Sequence, residues 1–240
     1  MNNNIPFLPG GLEQYNLLKK NVDLKDKIIL ILGFGAEQIA LQMTAYAKAV
    51  IIAVSTNEEL LATRLKMSGK PKISVRLMSF DVTDFSDEAV DVIYSQGALS
   101  SDIRNKILKE LHRIIKPDGT LCSGEVVSLK EESPQFVKDI WDRSGMNCLF
   151  ISNLEKNYTD KNFNIVSSKE LNFTLKAYYN AAAEIIKRGM KNISPEDLKV
   201  QRKVVNQLQH EVHAFQKLGG NKYIGFKTLI LSKVVVNEEE

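Results

Sequence analysis

The stretch ILILGFGAE, residues 29–37, runs from apolar residues directly into a turn that contains two glycines. A continuous apolar run of this kind is typical of a strand buried on both faces of a sheet. After the turn, apolar residues recur at helical spacing over residues 36–48, which predicts a helix. Because such a strand needs helices packed on both faces, the stretch predicts an α/β fold with a parallel sheet. The glycine turn at the end of the strand is typical of a site for a nucleotide-type ligand.

The alternation of strand and helix continues through the first half of the chain. Asn57 is predicted to cap the helix after the second strand, and Ser101 or Asp102 the helix after the fourth. The turn Lys116-Pro117-Asp118-Gly119 is predicted to end that last helix. Ligands of such sheets bind at the carboxyl ends of the strands. The predicted strands of this half are residues 27–32, 49–54, 73–79, 89–94 and 120–127.

The second half of the chain has a different pattern, with more helix and fewer strands. Residues 163–171 and 223–235 are predicted strands, and the last is expected to pair antiparallel. Ser194-Pro195-Glu196-Asp197 is a good start signal for the last helix. We therefore expect a doubly wound α/β fold with a seven-stranded, mostly parallel sheet and a helical cap. The predicted helices of this half are residues 133–144, 153–161, 175–188 and 195–217.

Composition and charge exclude several classes of function. A net charge of +3 spread along the chain gives no reason to expect a nucleic-acid partner. The apolar runs are strand-length and the first residues lack a signal-peptide pattern, so we expect no membrane segment. Cys122 and Cys148 lack metal-site spacing and are predicted to be reduced thiols in a cytoplasmic protein. His210 and His213 share a helix face without an evident third ligand, so no metal is expected.

Several short motifs, in the same order, resemble those of the class I S-adenosylmethionine (SAM)-dependent methyltransferases. The most specific is Leu111–Gly119, which is similar to the family's leucine-arginine-leucine-lysine-proline-glycine-glycine turn. Pro9–Glu13 is similar to the N-terminal lid of the small-molecule branch, which includes phosphoethanolamine methyltransferases. The other matching segments are Gly33–Gly35, Val54–Leu60, Phe80–Phe85 and Asp91–Gln96.

The resemblance implies a division of the chain and a set of site residues. It implies a single methyltransferase-like domain over residues 1–240, with a Rossmann-like fold and SAM as cofactor. Within it, residues 1–26 would be a lid, 27–128 the cofactor-binding half and 129–240 the C-terminal half, with 173–218 as an inserted cap. No catalytic residue is identified. The implied cofactor contacts are Gly33, Gly35, Glu37, Ser55, Asp81, Val82 and Ser95, and the implied substrate contacts are Tyr94, Gln96 and Tyr178.

Three residues depart from the family pattern, and each alters a different cofactor contact. Ile31 stands where an acid helps to hold the amino group of SAM, and Glu37 stands in place of the third glycine. Ser55 stands where an acid takes both ribose hydroxyls. A lost charge-assisted hydrogen bond costs roughly 1.5–3 kcal/mol, so two losses and a repulsion suggest roughly 3–6 kcal/mol of SAM affinity.

These departures leave more than one function open. The first is SAM-dependent methyl transfer to an unidentified small molecule. The second is a catalytically inactive binding or scaffolding subunit, with weak or no SAM binding and a protein partner in a homo- or heterodimer. The third is a different ligand, such as another nucleoside or a cationic metabolite attracted by Glu37.

Overall fold

The computed structural model describes residues 8–192 and 198–234, except for the side chains of residues 188–192 and 198–207. Its helices and strands follow the predicted alternation. The helices are α1 Gly11–Asn21, α2 Glu37–Met43, α3 Asn57–Met67, α4 Arg104–Ile114, α5 Gln135–Arg143, α6 Ile151–Thr159, α7 Thr174–Asn192 and α8 Leu198–Lys217. The strands are β1 Ile28–Leu32, β2 Ala49–Val54, β3 Ile73–Leu77, β4 Val90–Gln96, β5 Ile115–Ser128, β6 Phe163–Glu170 and β7 Ile224–Lys233.

The strands form one seven-stranded sheet in the order β3-β2-β1-β4-β5-β7-β6. Strands β1 to β5 pair in parallel, and β7 lies antiparallel between β5 and β6. The predicted fold, a mostly parallel seven-stranded sheet with an antiparallel last strand, is therefore confirmed. The strand order changes direction between β1 and β4, and a crevice for a ligand is expected beyond the carboxyl ends of the strands there.

Alternate residues of β1 face two separate apolar layers. Ile29 and Ile31 pack in one layer with α1, α2 and α3, whereas Leu30 and Leu32 pack in the other with α4 and α6. All four side chains are at most 2% exposed. A parallel strand covered on both faces has no polar side to present to water, which is why its sequence is an unbroken apolar run.

The cap forms a third apolar cluster over the ends of β5 and β7. In it Tyr179 of α7 stacks on Phe215 of α8 with ring centroids 4.1 Å apart, and Trp141 of α5 joins them. Phe226 of β7 connects this cluster to the sheet. The predicted helix start at residues 194–197 lies outside the described residues, as do residues 1–7 of the predicted lid.

Three local features differ from the sequence prediction. The N-cap of α4 is Ile103, without a side-chain capping bond, and not Ser101 or Asp102. The cap of α3 is Thr56 rather than Asn57, because Thr56 and Glu59 exchange side-chain to backbone hydrogen bonds in a capping box. The Lys116–Gly119 segment is not a turn between helix and strand. It lies within β5 as a bulge, since Val90 pairs with Ile115 but Val92 pairs with Thr120.

Among the described helices, none combines the length and the apolar character that crossing a lipid bilayer requires.

Candidate cofactor site

The glycine turn after β1 requires its glycines. Gly33 and Gly35 have φ of 99° and 94°, a region that side chains rarely adopt. A Cβ added to Gly33 would lie 3.1 Å from the Cβ of Ala98, so the turn also packs closely against the loop after β4. Ile31, at the departure from the family pattern, is fully buried in the apolar layer beneath this turn.

The carboxylate of Glu37 is neutralised by a neighbouring helix. Lys66 of α3 places its Nζ 3.0 Å from Glu37 Oε1 and 4.9 Å from the ring centroid of Phe34. The Glu37 side chain is only 8% exposed, whereas that of Lys66 is 52% exposed. Its negative charge is thus already paired, which removes the repulsion of the cofactor carboxylate inferred from the sequence.

An open cleft of about 610 Å³ lies at the carboxyl ends of β2 and β3, against the loop from β4 to α4. Two large apolar side chains in its wall are unusually exposed, Leu77 at 44% and Ile103 at 42%. Apolar walls with polar groups at the rim suit a flat heteroaromatic ring with a polar sugar. The cleft is lined by Ser55, Thr56, Asn57, Glu58, Leu77, Met78, Ser79, Phe80, Ala98, Ser101, Ile103 and Ile107.

Some polar groups of the cleft already form hydrogen bonds within the protein, and others do not. The hydroxyl of Ser55 donates to Glu59 Oε2 at 3.1 Å, and the same carboxylate oxygen accepts from the Ser55 backbone N–H. Ser101 Oγ is buried and has no hydrogen-bond partner among the described residues. A buried hydroxyl without a partner is unusual in a folded protein, and Ser101 is one of the residues that line the cleft.

Asp81 and Val82, implied as cofactor contacts, lie outside this cleft. They line a second depression together with side chains of α4, and Val82 is 72% exposed. Asp81 accepts a hydrogen bond from Ser79 Oγ. The structure instead brings Ser79 and Phe80, the residues just before them, into the cleft. Phe80 begins the segment Phe80–Phe85 that matches the family pattern, whereas sequence reasoning did not single out Ser79, which lies shortly after β3.

Tyr94 and Gln96, implied as substrate contacts, hold the N-terminal segment. Tyr94 donates from its hydroxyl to Gln96 Oε1 at 2.8 Å. Gln96 Nε2 in turn donates to the carbonyl oxygens of Pro9 at 2.7 Å and Gly11 at 2.9 Å. Tyr94 and Gln96 are both buried, so residues 9–11 cover the end of β4.

Ser95 and Tyr178 occupy different environments. Ser95 is fully buried, and its carbonyl accepts from Gln14 Nε2 at 2.7 Å. In the part of the chain that the structure describes, its hydroxyl has no partner. Tyr178 lies in the cap, with its ring 5.0 Å from that of Tyr179. Burial and the nearby Glu211 carboxylate raise the pKa of Tyr178 to about 12, so its phenol stays protonated at neutral pH.

A buried polar network supports the wall of the cleft from behind. Arg104 Nε lies 2.8 Å from Glu125 Oε2, and Tyr158 donates to the other oxygen of the same carboxylate. Ser100 Oγ accepts from the backbone N–H of Val126 at 3.0 Å, beside this pair. Burial raises the pKa of Glu125, and the Arg104 guanidinium opposes this effect. Sequence reasoning missed the network, although a glutamate inside an apolar strand is its visible sign.

A second ion pair fixes the segment that follows Phe80. Glu110 of α4 accepts from the backbone N–H of Thr83 at 2.8 Å and from the guanidinium of Arg113. The hydrogen bonds from Arg113, aided by those from Thr83, lower the pKa of Glu110 from 4.5 to about 2. The carboxylate form is therefore favoured by folding.

This pKa predicts a contribution to acid sensitivity. Because the folded-state pKa lies below the unfolded value, the stabilisation is present above about pH 4.5 and is lost as the pH falls towards 2. We expect Glu110→Gln to lose less stability than the natural chain between pH 6 and pH 3, measured by urea denaturation. Equal losses in both proteins would contradict the assignment, and Glu132→Gln is a control for an exposed glutamate.

Comparison with known proteins places this site in a wider context. Residues 30–123 match the family model described as a methyltransferase domain. A comparison with curated protein sequences gave no match. The cyclopropane synthase MmaA2 from Mycobacterium tuberculosis is 17% identical, with a TM-score of 0.75, over 92% of this chain and 83% of that one.

Two further solved structures share the architecture. Phosphoethanolamine N-methyltransferase 2 from Haemonchus contortus, solved with SAM, is 13% identical, with a TM-score of 0.76, over 97% of this chain and 55% of that one. The [4+2]-cyclase SpnF is 15% identical, with a TM-score of 0.73, over 93% of this chain and 80% of that one. Fold and matched domain together define a methyltransferase-like protein. In particular, this chain has the fold of the class I SAM-dependent methyltransferases, and its residues 30–123 match the methyltransferase domain model.

Proposed function

We propose that this chain binds SAM with its adenosine end in the cleft and transfers the methyl group to a small molecule. One observation carries the proposal, namely the open cleft with exposed apolar walls at the carboxyl ends of β2 and β3. Leu77 and Ile103 expose apolar surface there that an adenine ring would cover. The buried Ser101 hydroxyl without a partner supports a polar group of the ligand next to that surface.

The residues of the chain would bind and orient the two reactants rather than exchange protons with them. SAM supplies a methyl group on a sulfonium, which a correctly aligned nucleophile can take directly. Phe80 and Ile103 would hold the adenine between apolar surfaces, and Glu58, exposed at the rim, would accept from the ribose hydroxyls. Alignment of the methyl donor with the acceptor would be the main source of rate here.

Location and metal content are part of the same proposal. We propose a cytoplasmic protein, which is supported by the two free thiols of Cys122 and Cys148. Burial raises the pKa of the Cys122 thiol to about 12, so it is protonated and unreactive at neutral pH. We also propose that methyl transfer needs no metal, because alignment of donor and acceptor is sufficient for the chemistry.

A second candidate is a methyltransferase-fold subunit without catalysis that acts through a protein partner in a homo- or heterodimer. A specific observation favours it, since all three side chains that depart from the family pattern already have contacts within the protein. Ile31 is buried in the core, Glu37 is paired with Lys66, and the Ser55 hydroxyl is bonded to Glu59. None of the three side chains is free to replace the contacts that the family pattern provides.

Calorimetric titration with SAM and S-adenosylhomocysteine tests the proposal. We expect micromolar binding to the natural chain and a loss of about tenfold or more in Ile103→Asp, because a carboxylate would face the adenine ring. Leu61→Asp is the control, since Leu61 is 68% exposed on α3 and does not line the cleft. Binding unaffected by Ile103→Asp would contradict the proposed cleft, and no binding at millimolar ligand would favour the second candidate.

A further inference from the structure

The end of β4, past which the amino acid part of SAM would have to lie, is covered in this structure. Ser95 is fully buried and Gln96 is 4% exposed, beneath residues 9–11. Gln14 of α1 is also fully buried and donates to the Ser95 carbonyl. The space over the tip of β4 is thus occupied by the chain itself.

The glycine turn beside this covered end offers little to a zwitterionic group. It packs against the loop after β4, where a Cβ added to Gly33 would lie only 3.1 Å from the Cβ of Ala98. The neighbouring carboxylate, Glu37, already has the Lys66 ammonium as its partner. An ammonium or carboxylate buried here would therefore lose its water without gaining a charged partner among the described residues.

The cleft at the ends of β2 and β3 is, in contrast, open to solvent and of sufficient size for a nucleoside. Its walls do not include Gly33, Gly35 or any residue of α1. Closure of the N-terminal segment therefore blocks the amino acid end of the site while it leaves the adenosine end accessible. In this one conformation of the chain, the amino acid end of the site is covered and the adenosine end is open.

We infer that, with residues 9–11 closed over β4, the cleft selects adenine nucleosides that lack an α-amino acid tail, such as adenosine and 5′-methylthioadenosine. The inference rests on the proposed function, because it assumes that the cleft is the adenosine end of the site. SAM and S-adenosylhomocysteine bind only after residues 9–11 leave Gln96, and the free energy of that opening is subtracted from their affinity. Gln96 is thus a positioning residue that determines which ligand the site takes.

The test compares two neutral thioethers that differ in their tail. 5′-Methylthioadenosine and S-adenosylhomocysteine share the adenosine and the sulfur, and only the second carries the amino acid. We expect 5′-methylthioadenosine to bind the natural chain about tenfold or more tightly than S-adenosylhomocysteine in calorimetric titration. S-Adenosylhomocysteine binding as tightly as, or more tightly than, 5′-methylthioadenosine would overturn the inference and leave the proposed function standing.

Variants of Gln96 test the cause of the selectivity. Gln96→Glu keeps the size of the side chain but replaces the donor to the Pro9 and Gly11 carbonyls by an acceptor. We expect it to raise the affinity for S-adenosylhomocysteine about fivefold or more and to leave that for 5′-methylthioadenosine unchanged. Gln135→Glu is the control, because the Gln135 amide is exposed and donates to Asp139 on its own helix, away from residues 9–11.

The remaining outcomes separate the inference from the proposal beneath it. Equal gains for both thioethers in Gln96→Glu, or no gain, would overturn the role of residues 9–11. Failure of all adenine nucleosides to bind would overturn the proposed function, and the inference with it. If Gln96→Glu does not fold, Gln96→Ala removes the same hydrogen-bond donor. The ratio of the affinities of the natural chain for the two thioethers then decides whether the cleft is selective.

Discussion

Arg104→Ala is expected to lower the free energy of unfolding by about 3–5 kcal/mol, because it leaves a buried carboxylate without its counter-charge. The side chains of Arg104 and Glu125 are only 5% and 1% exposed. Arg104 also donates to the carbonyl of Asn147 at 2.5 Å, so its removal frees the loop that precedes α6. The hydroxyl of Tyr158 would be the remaining strong donor to the carboxylate.

Urea denaturation of three variants measures this effect. Arg104→Ala and Glu125→Ala together should cost less than the sum of the single changes, since each single change leaves one charge unpaired. Lys156→Ala is the matched control, because Lys156 and Asp160 form an exposed ion pair that contributes about 0.5 kcal/mol or less. A loss below about 1 kcal/mol in Arg104→Ala would show that the guanidinium is not essential to the wall of the cleft.

Gly10→Ala is expected to cost about 2–4 kcal/mol and to displace the N-terminal segment. Gly10 has φ of 86°, where a side chain costs about 1–2 kcal/mol. Its added Cβ would also lie 2.4 Å from a ring carbon of the buried Phe226. Overpacking of this kind adds about 1–3 kcal/mol unless the segment moves away.

Gly69→Ala separates the two contributions to this loss. Gly69 has a comparable φ of 74°, but its added Cβ would meet nothing within 4 Å. We therefore expect Gly69→Ala to show only the backbone contribution in urea denaturation. Hydrogen exchange should show faster exchange over residues 11–21 in Gly10→Ala alone. Equal losses in both variants, with no change in exchange, would mean that Phe226 does not hold the segment in place.

Most of the sheet could be predicted because its determinants are local. The apolar run of β1 must be covered on both faces, and this requirement alone fixes the layered α/β architecture. The sequence near the ends of helices and strands was less decisive about where each one begins or ends. Thr56 and Asn57 can both cap a helix, and only the extended backbone of Thr56 and its bond with Glu59 decide between them. The bulge at Lys116–Gly119 could not be foreseen, because the register depends on the pairing of Val90 with Ile115.

The site was harder to predict, because its side chains have partners that are distant in sequence. Nothing near Gln96 in the sequence indicates that its amide binds the carbonyls of Pro9 and Gly11. Nothing near Glu37 in the sequence indicates that Lys66, on another helix, binds its carboxylate. The family pattern gave the correct strand ends, and the folded chain shows which side chains at each end are still unpaired.

The closed segment at residues 9–11 also links two parts of the molecule that are separate in sequence. The backbone N–H of Gly10 donates to Thr174 Oγ1 at the start of α7, while the neighbouring carbonyls bind Gln96. A ligand that displaces the segment therefore removes a support of the cap and frees the amide of Gln96 in a single step. Mobility of the cap and ligand occupancy at the end of β4 therefore both report the same equilibrium, the opening and closing of residues 9–11. A change in either should alter the other.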